Sequence, residues 1–499
     1  MKRRQLIASA ASLAPFVVLG QPAFAADKVL TVGAAVFPDT LKPGIGSFAS
    51  QSLLVQTNEQ LVQRDAVGNP QPTLATSWEL VEPTTMRFHL RQGVKFTDGV
   101  EFTADDVVYT IGYVQDPQNA YGAAARISAV TGATAVDKYT VDIKTKAVFP
   151  TLLRAMAEVP ILPKHYAEKV GTKGLTDKPM GTGPFIFQEW VPGDHYTLTS
   201  NKNYWGGAPK FDKVIIRTIP DGSTRVAALV SGEAQIIEEV PIDLIEQVQA
   251  SGVAKVDEIA TSVGLVLTFD TLIKPFDNPK VREAFDYAID KPLILKQILK
   301  GQGEILDAQL LTKAALGYNP DIKARPFDPA KAKQMLVEAG YDFNTPVPIL
   351  TQNGKYVSDT DICNAIAGML NNIGVKATVD AVEGGTFQAR ANVMKMGALH
   401  MIGWYSLGDG DFATVWYTKA GHRTNWYSED YEKMFTAARS TNDEKERIRL
   451  YHEMAALAYK EMPSLFLFGL PSLYGVNKNV TGFGAASDKI LHLAKVEFK

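Results

Sequence analysis

Residues 88–111 read FHLRQGVKFTDGVEFTADDVVYTI. The alternation that begins in TMRFHLRQGVKF predicts a strand. Asp98-Gly99 then predicts a tight turn, because Gly tolerates positive φ and Asp hydrogen-bonds its own backbone. Thr103 stands three residues before Asp106, a capping-box spacing, with Asp a weaker partner there than Glu. Val107, Val108 and Ile111 give the following helix its apolar face. The adjacent carboxylates Asp105 and Asp106 do not face each other on a helix; their place at its start suits the helix dipole. Strand, turn and capped helix make this stretch scaffolding rather than a reaction site.

The same grammar extends outward. VLTVGAAV (29–36), TVDIKTK (140–146) and KVIIRTIP (213–220) predict short strands. GTGPFIFQEW changes the composition to Gly and Pro, then to aromatic strand residues, and STRVAALVSGEAQI predicts a helix followed by a strand. In FDNPKVREAFDYAID, Asn278 caps and Pro279 opens a helix whose Val281, Ala284, Phe285, Ala288 and Ile289 share one face. FDPAKAKQMLVEAGY repeats the plan with Asp328, Pro329 and a closing Gly340. DICNAIAGMLNNIGVKATVD predicts helix, Gly, strand; NDEKERIRLYHEMAALAYKEMP predicts a long amphipathic helix stopped by Pro463. The chain is mixed α/β without an internal repeat of solenoid or propeller period.

At 499 residues, several domains are expected. Lys2, Arg3 and Arg4, an apolar stretch from Leu6 to Leu19, and Ala23-Phe24-Ala25 predict a signal peptide over residues 1–25. Arg3-Arg4 leaves both the general and the twin-arginine export routes open. The chain has 51 basic residues; without those three, 48 remain against 54 acidic, a net charge of −6. That balance argues against a nucleic-acid partner. Cys363 is the only cysteine, so no internal disulfide forms, and no Cys at the cleavage site implies a lipid anchor. An exported chain without disulfides predicts a Gram-negative periplasm.

Local signals for chemistry are few. The histidines at 89, 165, 195, 400, 422, 452 and 492 form no metal-ligand spacing. Gly181-Thr182-Gly183-Pro184 is a bare GxG whose Pro forbids the turn into a helix N-terminus. Neither a nucleophile elbow nor a P-loop is present. Carboxylate pairs such as Glu238-Glu239 carry no signal by themselves. No metal, cofactor or catalytic residue is therefore assigned. One segment differs: MIGWYSLGDGDFATVWYTKAGHRTNWYS (401–428) holds Trp404, Trp416 and Trp426, each followed by a Tyr, with Asp409, Asp411, Arg423 and Asn425 among several glycines. Aromatic walls with a few polar groups suit a ligand pocket.

Together these segments make a resemblance. The chain resembles the bacterial periplasmic solute-binding proteins of the dipeptide/oligopeptide/nickel class that serve ABC importers. Residues 88–111, the GTGPFIFQEW…SGEAQI stretch, FDNPKVREAFDYAIDKPLIL and FDPAKAKQMLVEAGY follow that family's order. The resemblance implies an α/β, periplasmic-binding-protein-like fold of two lobes with an extra third domain and a ligand cleft between the lobes. Lobe I is assigned residues 26–50, 182–270 and 475–499, the extra domain 51–181, and lobe II 271–474. It implies a non-enzymatic monomer that takes a peptide, opine or other amino-acid-derived solute and docks transiently on a membrane permease. The alternatives are a metal or metallophore carrier using His422 or His400, and a hydrolase on the same scaffold.

In peptide-binding members an aspartate three residues after the segment's Trp anchors the ligand's amino terminus; counted from Trp404, that position is Leu407. Asp409 or Asp411 is the substitute. The expected ligand contacts are Trp404, Tyr405, Asp409, Asp411, Trp416, Arg423 and Asn425, with Phe37 and Asp39 from lobe I and Asn353 and Tyr356 from lobe II.

Overall fold

The computed structural model describes residues 28–36, 38, 40–43, 48–65, 68–421, 424–485 and 490–499. The expected signal peptide 1–25, and Phe37, Asp39, His422 and Arg423, lie outside them. One 11-stranded sheet runs through both lobes. From one edge its order is Lys376–Val382, Pro346–Gln352, Leu399–Tyr405, Ala254–Phe269, Ser464–Asn477, Ile236–Ile237, Val29–Ala34, Lys213–Thr218, His195–Ser200 and Phe185–Val191. Glu304–Ile305 pairs beside Ser464–Asn477.

The two central strands are 16 and 14 residues long and belong to both halves. Ser464–Asn477 is buried along nearly its whole length, as its apolar run LFLFGLPSLYGV requires. The two pair antiparallel, and the register slips between Ala260 and Gly264, opposite the stretch from Pro471 to Gly469. Proline cannot donate to a ladder, so a break there is where its ring is tolerated. On either side of that break each half has a parallel core. Val29–Ala34 lies parallel to Lys213–Thr218 and Ile236–Ile237. Pro346–Gln352 lies parallel to Lys376–Val382 and Leu399–Tyr405.

A separate four-stranded antiparallel sheet orders Ala75–Glu82, Thr85–Leu90, Thr140–Thr145 and Val130–Asp137. The helix Ala104–Gln115 closes its core with Val107 and Ile111 over Phe88, Val141 and Ile143. The strand of the 88–111 stretch is shorter than the alternation predicts and ends at Leu90. Gly99 has φ +94°, and the Asp98 carboxylate accepts the Val100 N–H at 3.2 Å, as the turn dipeptide demands. Asp106 accepts the Thr103 N–H at 2.9 Å and the Lys164 N–H at 3.0 Å. It is buried, and burial holds its carboxyl above the usual value.

The predicted caps form elsewhere too. Asn278 accepts the Lys280 N–H at 3.0 Å to start Pro279–Tyr287. Asp328 accepts the Lys331 N–H at 2.9 Å to start Pro329–Glu338. Cys363 is buried, which pushes its thiol up to about 12. Among the described residues no helix is long and apolar enough to cross a membrane, and no group of three His, Cys, Asp or Glu is placed to hold a metal.

Candidate functional site

A cleft of about 500 Å³ opens where the two halves of the long sheet meet. Its floor is the broken part of the crossing strands: Thr261, Val263, Leu470, Pro471 and Tyr474. Thr261 Oγ1 donates to the Leu470 carbonyl across that break. One wall carries Ala35, Val36, Ser52, Glu238 and Glu239; the other carries Gly354–Val357 and Tyr405.

Each wall is set by a buried charge beneath it. On the second lobe, Asp359 starts the helix Asp359–Asn372 and is buried. Its carboxylate accepts the N–H groups of Gly354 (3.2 Å), Lys355 (2.7 Å), Tyr356 (3.0 Å) and Thr360 (2.7 Å). Charge-assisted bonds of this kind are the stronger ones, so the loop's path over the cleft is fixed. Tyr356 is then pinned to the sheet: its hydroxyl accepts the Gly403 N–H at 2.8 Å. A side chain at Gly403 would meet the Tyr356 ring at 2.7 Å, so glycine is what lets the ring lie on the strand.

On the first lobe the arrangement is inverted. Arg225, buried in the helix Gly222–Ser231, donates to four carbonyls: Ile219 (2.7 Å), Pro220 (2.7 Å), Glu238 (3.0 Å) and Glu239 (2.8 Å). Burial lowers the affinity of its guanidinium for a proton, an effect opposed by the charges of Glu239 and Glu238. Glu239 has φ +51°. A buried anion thus gathers amides under one wall, and a buried cation gathers carbonyls under the other.

The expected contacts divide over this geometry. Tyr405 and Tyr356 line the cleft. Asn353 is exposed one residue before the lining loop, with its N–H donated to the Val382 carbonyl at 2.9 Å. Trp404 is only 2 % exposed and stacks on Trp416 with centroids 4.7 Å apart. It pairs with Gly264, a position facing Leu306 and Leu310, whereas Gly403 on the opposite face meets Tyr356. Successive strand residues point to opposite faces, so Tyr405 takes the cleft and Trp404 the core. His400 is buried on that same strand. Asn425 receives the Thr271 hydroxyl on its carbonyl at 3.1 Å and is not part of the lining.

The carboxylates expected to orient a solute are held elsewhere. Asp409 is fully buried and accepts from Arg447 (2.7 Å) and the Tyr451 hydroxyl (3.1 Å), with Arg154 of the extra domain at 3.2 Å. Asp411 receives two bonds from Arg439, at 2.6 and 2.8 Å. The expectation that one of them faces the ligand does not fit this geometry, because burial forces both onto arginines. Leu407, at φ +47°, is buried beside them. Sequence reasoning missed Glu238, Glu239, Lys355 and Tyr474. The Glu238-Glu239 pair was visible, but only the turn after Ile236–Ile237 brings it to the cleft.

A cleft walled by two α/β lobes, floored by two shared strands and flanked by a third domain matches known proteins. The profile of the bacterial extracellular solute-binding proteins, family 5, covers residues 69–425. The chain belongs to that family. This family 5 protein is a solute-binding protein. It is 29 % identical to the dipeptide-binding protein of Escherichia coli K12 over 83 % of both chains. It is 30 % identical to the glutathione-binding protein GsiB of Salmonella typhimurium LT2 over 81 % of both. The structure of HbpA2 from Haemophilus parasuis superposes with a TM-score of 0.84 at 26 % identity, over 94 % of this family 5 chain and 100 % of that one.

Proposed function

We propose that this family 5 protein captures a peptide, opine or related amino-acid-derived solute in the cleft between its lobes and hands it unchanged to an ABC permease. The observation that carries the reading is the cleft itself: both lobes and the shared strands line one cavity, and a buried ion fixes the loop on each wall. Relatives named for dipeptide and glutathione binding support the solute class. The hinge lies at the break around residues 261–263 and 470–471. The lobes divide there, so each crossing strand contributes a part to both. The contacts with solute come from Tyr356, Tyr405, Tyr474, Lys355, Glu238 and Glu239. The protein acts as a monomer in the periplasm after cleavage behind Ala25.

The test is native mass spectrometry of gently purified protein, followed by calorimetric titration of the recovered solute. Tyr405→Ala should weaken binding about tenfold or more, given what a packed aromatic ring contributes. A solute that returns chemically altered, in proportion to protein added, overturns binding without turnover. Unchanged affinity in both Tyr405→Ala and Tyr356→Ala overturns the cleft.

A further inference from the structure

We infer that a second cavity, on the seam between the extra domain and the first lobe, binds a small organic anion that carries a flat ring. It holds about 580 Å³ against about 500 Å³ for the cleft, and no residue lines both. Three stretches far apart in sequence build it. The first is the pair of strands Val62–Arg64 and Pro70–Pro72, with Thr73 directly after them. The second is the turn 204–207, and the third is the C-terminal segment from Gly482 to Lys495. Residues 271–474 of the second lobe contribute nothing to the lining.

The first support is a braced aromatic wall with an unused donor beside it. The rings of Tyr204 and Trp205 lie 5.3 Å apart, and both side chains donate to the Glu59 carboxylate, at 2.7 and 2.8 Å. The Arg91 guanidinium stacks on Trp205 at 4.1 Å and donates through Nε to the Thr73 carbonyl at 3.0 Å. Rings and Thr73 are therefore held before anything binds, which cuts the entropy lost on binding. Thr73 is 5 % exposed, and its hydroxyl has no hydrogen-bond partner among the described residues. A buried polar group left unpaired costs free energy, so an acceptor brought in by an occupant is favoured there.

The second support is the sign of the charge. Among the described residues no Asp or Glu lines this cavity. Arg64 is already engaged by Glu158 at 2.7 Å, so the cation offered to an occupant is Lys495, which is exposed and in no ion pair among the described residues. The chain runs so close here that a side chain on Gly482, at φ +71°, would collide with the Lys495 carbonyl. One molecule satisfies all three features: a ring against Tyr204 and Trp205, an anionic group toward Lys495, and an oxygen that accepts from Thr73. Such an occupant bridges only the extra domain and the first lobe. Its binding is therefore independent of the solute cleft.

The experiment titrates the full mature chain calorimetrically with phenylacetate and indole-3-acetate, beside the uncharged phenylacetamide and indole-3-acetamide. The acids should bind about fivefold or more tightly than their amides, and the preference should shrink as salt is raised. Lys495→Gln should abolish the preference, and Thr73→Val should weaken both acids. Melting temperatures without probe, equal to the parent's, show that the two variants fold. Tyr405→Ala, altered in the cleft, should bind the acids as the parent does. The inference is overturned if neither acid binds, if acids and amides bind alike, or if Lys495→Gln keeps the preference. It is overturned equally by unchanged affinity in Thr73→Val, or by acids that no longer bind Tyr405→Ala, which would place them in the cleft.

Discussion

Trp404 and Tyr405 are neighbours on one strand, yet they belong to different parts of the molecule's chemistry, because a strand turns alternate residues to opposite faces. Removing each gives opposite results. Trp404→Ala empties a filled core site stacked on Trp416 and should cost about 3–5 kcal/mol of stability, with solute affinity kept by the folded fraction. Asp409→Asn should likewise lower the melting temperature, since Arg447 and Arg154 lose their buried counter-charge. Tyr405→Ala should leave the melting temperature near the parent's and weaken binding. Scanning calorimetry beside titration decides; weakened binding in folded Asp409→Asn would return that residue to the site. Glu59 makes a prediction about pH. Burial holds its carboxyl above the usual value, although Trp205, Tyr204 and Thr182 all donate to it. A carboxyl raised on folding binds its proton more tightly folded than unfolded. Its contribution is therefore most favourable below the unfolded value of 4.5 and declines as pH rises towards the raised folded value. Glu59→Gln does not titrate, so the parent's melting temperature minus the variant's should shrink as pH rises through that window. A difference that grows with pH would contradict this.

Secondary elements were the legible part of the sequence, because their signals are local. Asn278, Asp328 and the Asp98-Gly99 turn act within a few residues of themselves, and each forms as its residue type dictates. The helix Ala104–Gln115 shows where locality ends. The spacing of Thr103 and Asp106 foretold the cap, but not that the Asp106 carboxylate also takes the Lys164 N–H, 58 positions on. Asp106→Ala removes both bonds and leaves two half-buried donors without their acceptor, at about 1–3 kcal/mol. Denaturant titration should show that loss with solute affinity unchanged, since the helix contributes no residue to the cleft's lining; a variant as stable as the parent would dispose of the double role. The site was much less legible for the same physical reason. Arg225 reaches Glu239 across 14 positions, and Tyr356 reaches Gly403 across 47. Tyr356 and Tyr405, expected from strand ends and aromatic clustering, both line the cleft. Glu238 and Glu239 looked like any acidic pair, because nothing in their spacing reports a left-handed turn.

At the scale of the whole molecule, the extra domain touches both lobes. Toward the first, Glu59 accepts from Thr182, Tyr204 and Trp205. Toward the second, Arg154 meets Asp409 at 3.2 Å, Asn442 donates to the Pro83 carbonyl at 3.3 Å, and the backbones of Gly68 and Gly408 pack so closely that a side chain on Gly408 would lie 3.0 Å from the Gly68 Cα. A hinge at the break in the crossing strands cannot turn without opening one of these two seams. The first seam is built around a buried carboxylate with three side-chain donors. Among the described residues the second depends on Arg154, which pairs with Asp409 and donates to the Gly408 carbonyl at 3.4 Å, on one exposed amide and on a close backbone contact. The second, with fewer side-chain bonds, is the one expected to part. The loop 406–411, expected to reach the solute, instead serves as the surface where the extra domain latches on. Arg154→Met should therefore loosen the arrangement that holds the lobes together without solute. Small-angle scattering should give the unliganded variant a larger radius of gyration than the unliganded parent, and saturating solute should bring the two together, because the bridging ligand replaces the lost contact. Equal radii without solute would mean that the crossing strands alone set the angle between the lobes, and that the extra domain rides on them without holding them.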